Sequence, residues 1–580
     1  MKLLKPSPHR ARNDFDLSHR HVFDANFGEL LPATTIETVP GDNITLHASD
    51  LVRNIPFIGS PFLRAKQHLD VWFVPYHDLW HQFDAFITKR REPVSSAFQG
   101  ADFLPHADVY TLKSDINAIV TAGLNCTDVA GRNIDVRGFY LLQLLGYGDL
   151  SGSVASSGSL KVNLFNLAAY NYIWYNEYRQ QYYDDGTRII GSNANPAKLF
   201  NFDDLSCDSE ANADITADSS HVARVAAMCQ MRYRCWKKDL FTGLLPSTQF
   251  GAVSTVNVFS NSLNVRVRLT DSNNQIIENS GDFSNIYSAS AGGVNVKYDD
   301  SGVTKTGYLK AQGDNSFVNS SFDVLALRKS EAIQIWRENA LRAGNHIKDN
   351  MMAHYGVASD FNDHRPTYLG SVDAPLNITD VMTTANGNSG WNDDVGDIAG
   401  KGISSLNEKV FKFHAKDFGV IMVMFSMLPE AEYEGIGIER NNQLLEAEDF
   451  FMPEFENLGL EAVSSANIHG GSGYAASSNF VLGYAPRYFG YKTKLDRAFG
   501  QFIGLGTWRP WTSPREDITA YLNTFSTFSG VLPQTLLYVN PALFNDNFQV
   551  YLSISNQFMV DLYFDVDAVR PMSVVGLPFS

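Results

Sequence analysis

The stretch QFMVDLYFDVDAV, residues 557–569, decides how the chain is to be read. Phe558, Val560, Leu562, Phe564, Val566 and Ala568 alternate with Met559, Asp561, Tyr563, Asp565 and Asp567. A period of two puts the apolar set on one face and three carboxylates on the other, which predicts a β-strand with one side in a core and one in water. KQHLDVWFV (66–74) repeats the pattern, with Leu69, Val71 and Phe73 opposite His68, Asp70 and Trp72, and Pro75 then ends the strand or confines it to an edge. KVFKFHA (409–415) alternates as well and leads into FGVIMVMFSML (418–428). That run is too short to span a bilayer as a helix and predicts a strand buried on both faces.

Helical spacing is rarer. NLAAYNYIWYNEYRQQ (166–181) aligns Leu167, Tyr170, Trp174 and Tyr178 on one stripe. Between Leu325 and His354, Ile333, Trp336, Ala340, Ala343, Ile347 and Met351 recur every three or four residues, predicting one amphipathic helix that Gly356 stops. These helices fall between distant strands, so they predict insertions into a sheet framework rather than βαβ units. Residues 252–320 and 371–409 are rich in Asn, Ser and Gly and predict two long polar excursions, the first with some strand at 263–269.

Composition limits the function classes. The 580 residues are 44% hydrophobic and 19% charged, with 39 Phe and 25 Tyr, a load suited to sheets and interfaces. The length alone suggests roughly four domains, although all-β folds with insertions often stay as one. Four cysteines (Cys126, Cys207, Cys229, Cys235) argue against a disulfide scaffold. The first residues are basic without an apolar run, so they do not read as a signal peptide. A net charge of −17 opposes nucleic-acid binding over the whole surface, yet residues 1–22 carry Lys2, Lys5, Arg10, Arg12 and Arg20 against Asp14 and Asp16.

The motifs of catalysis fail one by one. VPYHDLWHQF (74–83) places His77 and His81 four apart with Asp78 after the first, one residue type away from the zinc-protease H-E-x-x-H. Asp78 is a methylene shorter than that Glu and no third ligand follows, so aromatic packing beside two half-exposed histidines is the better account. GDIAGKG (396–402) is one residue short of a phosphate loop and has Gly402 in place of the Ser or Thr. GSGYAA (471–476) lacks a βαβ context, Cys229 lacks a visible His partner, and Asp203-Asp204 and Asp393-Asp394 read as solvated loop acids. No catalytic residue, metal ligand or cofactor is expected.

The order of several blocks then carries a resemblance. HVFDANFGELLPATTIETVPGDNITLHASDLVRN (21–54), PFLRAKQHLDVWFVPYHDLW (61–80), YNYIWYNEYRQQ (170–181) and WKKDLFTGLLPSTQFG (236–251) are followed by ALRKSEAIQIWRENALRAGNHIKDNMMAHYGV (326–357) and DHRPTYLGS (363–371). FGVIMVMFSMLPEAEYEGIGIER (418–440), GYAPRYFGYKTKLDRAFGQF (483–502) and DVDAVRPMSVVGLPF (565–579) complete the series. Together they resemble the major capsid protein of the Microviridae, closest to the gokushovirus-like branch, with residues 82–165 and the polar segments departing from the pattern. The resemblance implies a mainly β fold, an eight-stranded antiparallel jelly roll with long, partly helical insertions. Residues 23–580 would form that single domain behind a basic arm at 1–22.

It further implies a non-enzymatic protein that self-assembles into a T=1 icosahedral shell around circular single-stranded DNA, made in the host cytoplasm and located in the virion. Residues 252–320 would be the variable surface insertion facing a host receptor. Lys2, Lys5, Arg10 and Arg12 become candidate phosphate contacts on the inner face. The implied partners are further copies of the chain, the genome, a small basic DNA-binding protein and a pilot protein, with no membrane insertion. A carbohydrate-binding jelly roll and a zinc hydrolase on His77, Asp78 and His81 are the alternatives weighed, and no calcium-loop spacing supports the former.

Overall fold

The computed structural model describes residues 12–88, 103–121, 134–152, 160–183, 202–205, 207–216, 224, 227–249, 265–270, 286–288, 295–300, 303–313, 324–343, 347–356, 365–382, 398–470, 480–524 and 534–574. Two compact units emerge: Met1–Thr248 with Asp360–Ser580, and Gln249–Ser359 between them.

The first unit is organised by the C-terminal strand. Its pairings run through β1 (Asn13–Asp16), β2 (His19–Ala25), β3 (Leu31–Thr38), β4 (Asn43–Asn54), β5 (Ala65–Pro75), β6 (Thr367–Pro375), β7 (Asn377–Met382), β8 (Ile398–His414), β9 (Gly419–Pro429) and β10 (Phe558–Arg570). β10 lies between β4 on one side and the collinear β1 and β2 on the other; β4 then pairs with β8, and β8 with β7. The second sheet runs β6-β5-β9-β3, and every pairing in both sheets is antiparallel. With β1 and β2 counted as one interrupted strand and β7 as an added hairpin strand, the sheets read first-eighth-third-sixth and second-seventh-fourth-fifth along the chain. That is jelly-roll order, two interlocked Greek keys.

The alternation read from residues 557–569 is realised fully: Phe558, Val560, Leu562, Phe564, Val566 and Ala568 are all buried. They face the second sheet, and rings meet across the gap, Phe23 against Phe425 at 5.5 Å and Phe73 against Phe413 at 4.9 Å. β9 is buried along both faces, as its unbroken apolar run predicts. Helix Phe165–Ile173 and the π-turn Trp174–Tyr178 cover the outer side of β5 and β9. Under that cover Asp70 accepts hydrogen bonds from Tyr178 Oη (2.8 Å) and Arg234 Nη1 (3.1 Å), while Trp72 Nε1 donates to Tyr178 Oη (2.9 Å). The polar side of β5 is therefore interior, its groups satisfied by the insertion rather than by water.

Two sets of polar groups, one buried and one half-buried, tie the sandwich together. Glu29, fully buried, takes the guanidinium of Arg137 in a bidentate pair, and Asn26 Nδ2 donates to it at 3.0 Å. Arg137 also reaches Asp24 at 3.0 Å, so one side chain links the start of the barrel to helix Ile134–Leu144. Asp50 on β4 takes two hydrogen bonds from Gln67 on β5, at 3.0 and 2.9 Å, bridging the sheets. Burial pushes the Asp50 carboxyl up to about 6, against the lowering pull of those bonds.

Three expectations change. The arm of residues 1–22 is shorter, because β1 and β2 already pair with β10; Arg20 is spent on a bidentate pair with Asp561. The polar excursion at 371–409 is largely strand (β6, β7 and much of β8), since a hairpin at a sheet margin needs few apolar residues. The single helix of 325–354 is two, Val324–Ala343 and Ile347–Tyr355. Gly356 does stop the second one, with φ of +67° and its N–H donated to Met352 O.

The second unit contains those helices and a four-stranded antiparallel sheet ordered Val265–Thr270, Val303–Gly313, Asn295–Asp300, Ile286–Ser288. The excursion at 252–320 thus carries more strand than LNVRVRL alone suggested. Trp336 is exposed rather than core, unlike Trp72, Trp80 and Trp174 in the first unit.

Candidate functional site

The histidine pair of the opening motif comes apart at the backbone. Helix Tyr76–Leu79 is a single turn, and Trp80 is already extended (φ −155°, ψ 108°), so His77 and His81 do not share a helical face. His77 Nε2 lies 3.2 Å from buried Asp78, whereas His81 Nδ1 lies 2.5 Å from Asp203. Each imidazole has its own carboxylate, a geometry that orients rings rather than gathering ligands around one ion. Tyr76, Trp80, Phe83, Phe86, Phe165 and Phe202 pack ring to ring beneath them. Among the described residues no group of three or more His, Cys, Asp or Glu could hold a metal.

The remaining motifs resolve similarly. Gly400 and Lys401 sit inside strand β8, not in a loop, while GSGYAA and Asp393-Asp394 lie outside the described residues. Cys207 and Cys229 are buried, and burial pushes both thiols up to about 12, far from the thiolate a nucleophile needs. Cys126 lies outside the described residues. Asp203 and Asp204, read as solvated, hold His81 and Arg224 instead.

Of the arm, Lys2, Lys5 and Arg10 lie outside the described residues, and Arg12 is exposed immediately before β1. β1, which Arg12 precedes, is an edge strand of the first sheet. That sheet's outer face carries the exposed side chains of β8 and β10 and is electrically divided. Cross-strand partners set Lys409 beside His47 and His47 beside Asp565, then Lys412 beside Thr45 and Thr45 beside Asp567. Cations thus line β8 (Lys401, Lys409, Lys412) and carboxylates line β10 (Asp565, Asp567) and β1 (Asp14, Asp16), two and three strand spacings away, or roughly 10 and 15 Å. Sequence reading missed this face because the lysines are scattered; only pairing collects them. The alternation in KVFKFHA was the available signal, although a bulge between Lys409 and Phe411 shifts it by one residue.

Comparison with known proteins agrees with this architecture. The family model described as "Capsid protein (F protein)" matches residues 5–121 and 138–579. The capsid protein VP1 of Chlamydia phage 1 is 21% identical over 622 aligned residues, covering 98% of this chain and 95% of that protein. The capsid protein VP1 of Bdellovibrio phage phiMH2K is 22% identical over 588 residues, covering 99% and 96%. The jelly-roll chain, matched over residues 5–121 and 138–579, belongs to the capsid protein (F protein) family, as a major capsid protein of the Microviridae type.

Proposed function

We propose that copies of this chain close into a T=1 icosahedral shell enclosing circular single-stranded DNA, assembled in the cytoplasm of the host bacterium. The observation that carries the reading is the asymmetry of the sandwich. The central strands β5 and β9 of one sheet are buried on both faces, while β8 and β10 of the other expose one face beside the basic N-terminus. In this reading the arm looks inward. Lys2, Lys5, Arg10 and Arg12 neutralise phosphates without reading sequence, and Asp14 and Asp16 beside them keep the contact weak and salt-sensitive. A small basic protein and a pilot protein accompany the genome.

Electron microscopy with sedimentation of the expressed chain tests the shell: uniform small icosahedral particles support it, and a monomer that binds zinc or a glycan stoichiometrically sinks it. Replacing Lys2, Lys5, Arg10 and Arg12 together by Ala lowers packaged DNA; full packaging removes the arm from the account. The unit holding residues 252–320 is the host-facing element in the same reading. Its separate sheet supports this, since a unit with its own strands can diverge without disturbing the barrel. Deleting 252–320 leaves shells intact and reduces adsorption; unchanged adsorption refutes the role.

A further inference from the structure

The loop between β4 and β5 and the turn at 499–511 build an apolar knob at one end of the sandwich. Phe62 packs on Trp511 (5.8 Å) and Phe502 (6.4 Å), and Phe502 on Trp508 (5.3 Å). Ile58, Phe62, Phe499 and Trp508 stay about half or more exposed, and Leu505 at the tip is completely exposed. Five large apolar side chains in two adjoining loops exceed the scattered exposure expected of a solitary surface.

The knob is held in place rather than loosely attached. Phe62 N–H donates to Trp511 O, Thr512 Oγ1 donates to Phe502 O, and Arg509 pairs with Glu516 and donates to Thr512 O. Gly500 and Gly504 supply the left-handed turns, with φ of +66° and +58°. A rigid aromatic projection loses little entropy when covered, the property of an interface hot spot.

Charge identifies the occupant. Glu430, Glu432, Asp496 and Glu516 border the knob and outnumber Arg64 and Arg509, so phosphate is repelled and a nucleic acid is a poor fit. The same chain carries the complement: Arg53, Lys401, Lys409 and Lys412 are exposed, with no carboxylate partner among the described residues. We propose that this knob is a contact between copies, with Phe62, Leu505 and Trp508 of one copy seated against the cationic β4-β8 face of its neighbour. The two surfaces differ, so the contact is heterologous and propagates around a ring. The inference rests on the capsid reading and deepens it.

The test uses the full chain and three variants: Leu505→Asp, Trp508→Ala, and Lys401, Lys409 and Lys412 all replaced by Glu. All four are compared by sedimentation velocity and electron microscopy, with circular dichroism and melting temperature as the folding control. Each variant folds like the parent and needs on the order of tenfold or more higher concentration to assemble. A further chain carrying Leu505→Cys and Lys409→Cys becomes cross-linked between copies by a short bismaleimide. Normal assembly of the Leu505 and Trp508 variants overturns the proposal and leaves the capsid reading intact. Loss of assembly in those two but not in the lysine variant overturns the assigned partner face. Shells that form normally but lack DNA overturn it in favour of the genome, and a parent chain that never associates removes both readings.

Discussion

The two sheets of the sandwich are built from similar strands and live in different surroundings. β9 and β5 are interior on both sides, with Asp70, Trp72 and Tyr178 locked under a helix; β10 and β8 are interior on one side and open on the other. The open sheet shows its burial plainly in its period of two. The covered sheet hides it, because a polar residue such as Asp70 reads as solvent-facing until its partners are known. A period of two reports the strand, and the tertiary cover decides what each face meets.

The largest expected effect is on the covered sheet. Phe425→Ala removes a ring that bridges to Phe23 across the core and costs about 3–5 kcal/mol, read as a lowered urea midpoint. Should the loss be under 1 kcal/mol, the two sheets would not share one packed core. Arg137→Met is of similar size, about 3–5 kcal/mol, because it strands the buried Glu29 charge. If Arg137→Met and Glu29→Gln combined are as harmful as the first alone, the pair is not the unit described.

Tyr178→Phe sharpens the contrast at the outer side of β5. It leaves Trp72 Nε1 unpaired and takes a donor from Asp70, for a loss of about 1–3 kcal/mol in thermal unfolding. Asp50 adds a pH dependence. Its folded-state value, about 6, lies above the ordinary aspartate value, so the fold favours the protonated form. Its contribution is fully present near pH 4 and disappears as pH rises through about 6. Asp50→Asn flattens that interval when denaturation midpoints are compared at pH 4.5 and pH 7; an unchanged slope places the carboxylate in water. Tyr563→Ser, on the open face of β10, is the smallest, within about 0.5 kcal/mol for the unassembled chain. A larger loss there shows that the face is covered within one copy.

Much of this was legible in the residues. The strands at 66–74, 409–428 and 557–569, the helix at 166–181 and the stop at Gly356 follow from local spacing, which needs no knowledge of neighbours. The capsid reading followed from the order of conspicuous blocks. His77 and His81 show the limit: four residues apart promises a shared face only on a helix, and Pro75 followed by a single turn does not supply one.

By itself, then, the sequence determined the strands at 66–74, 409–428 and 557–569 and which face of β10 is apolar. The tertiary structure alone decided which strands pair, that residues 13–25 complete a sheet rather than trail as an arm, and that Trp336 is exposed while Trp72, Trp80 and Trp174 are buried. The physical reason is range. Periodicity is imposed by backbone geometry within a few residues, whereas pairing, cover and the gathering of Phe62 with Trp511 or Lys409 with His47 join positions hundreds of residues apart.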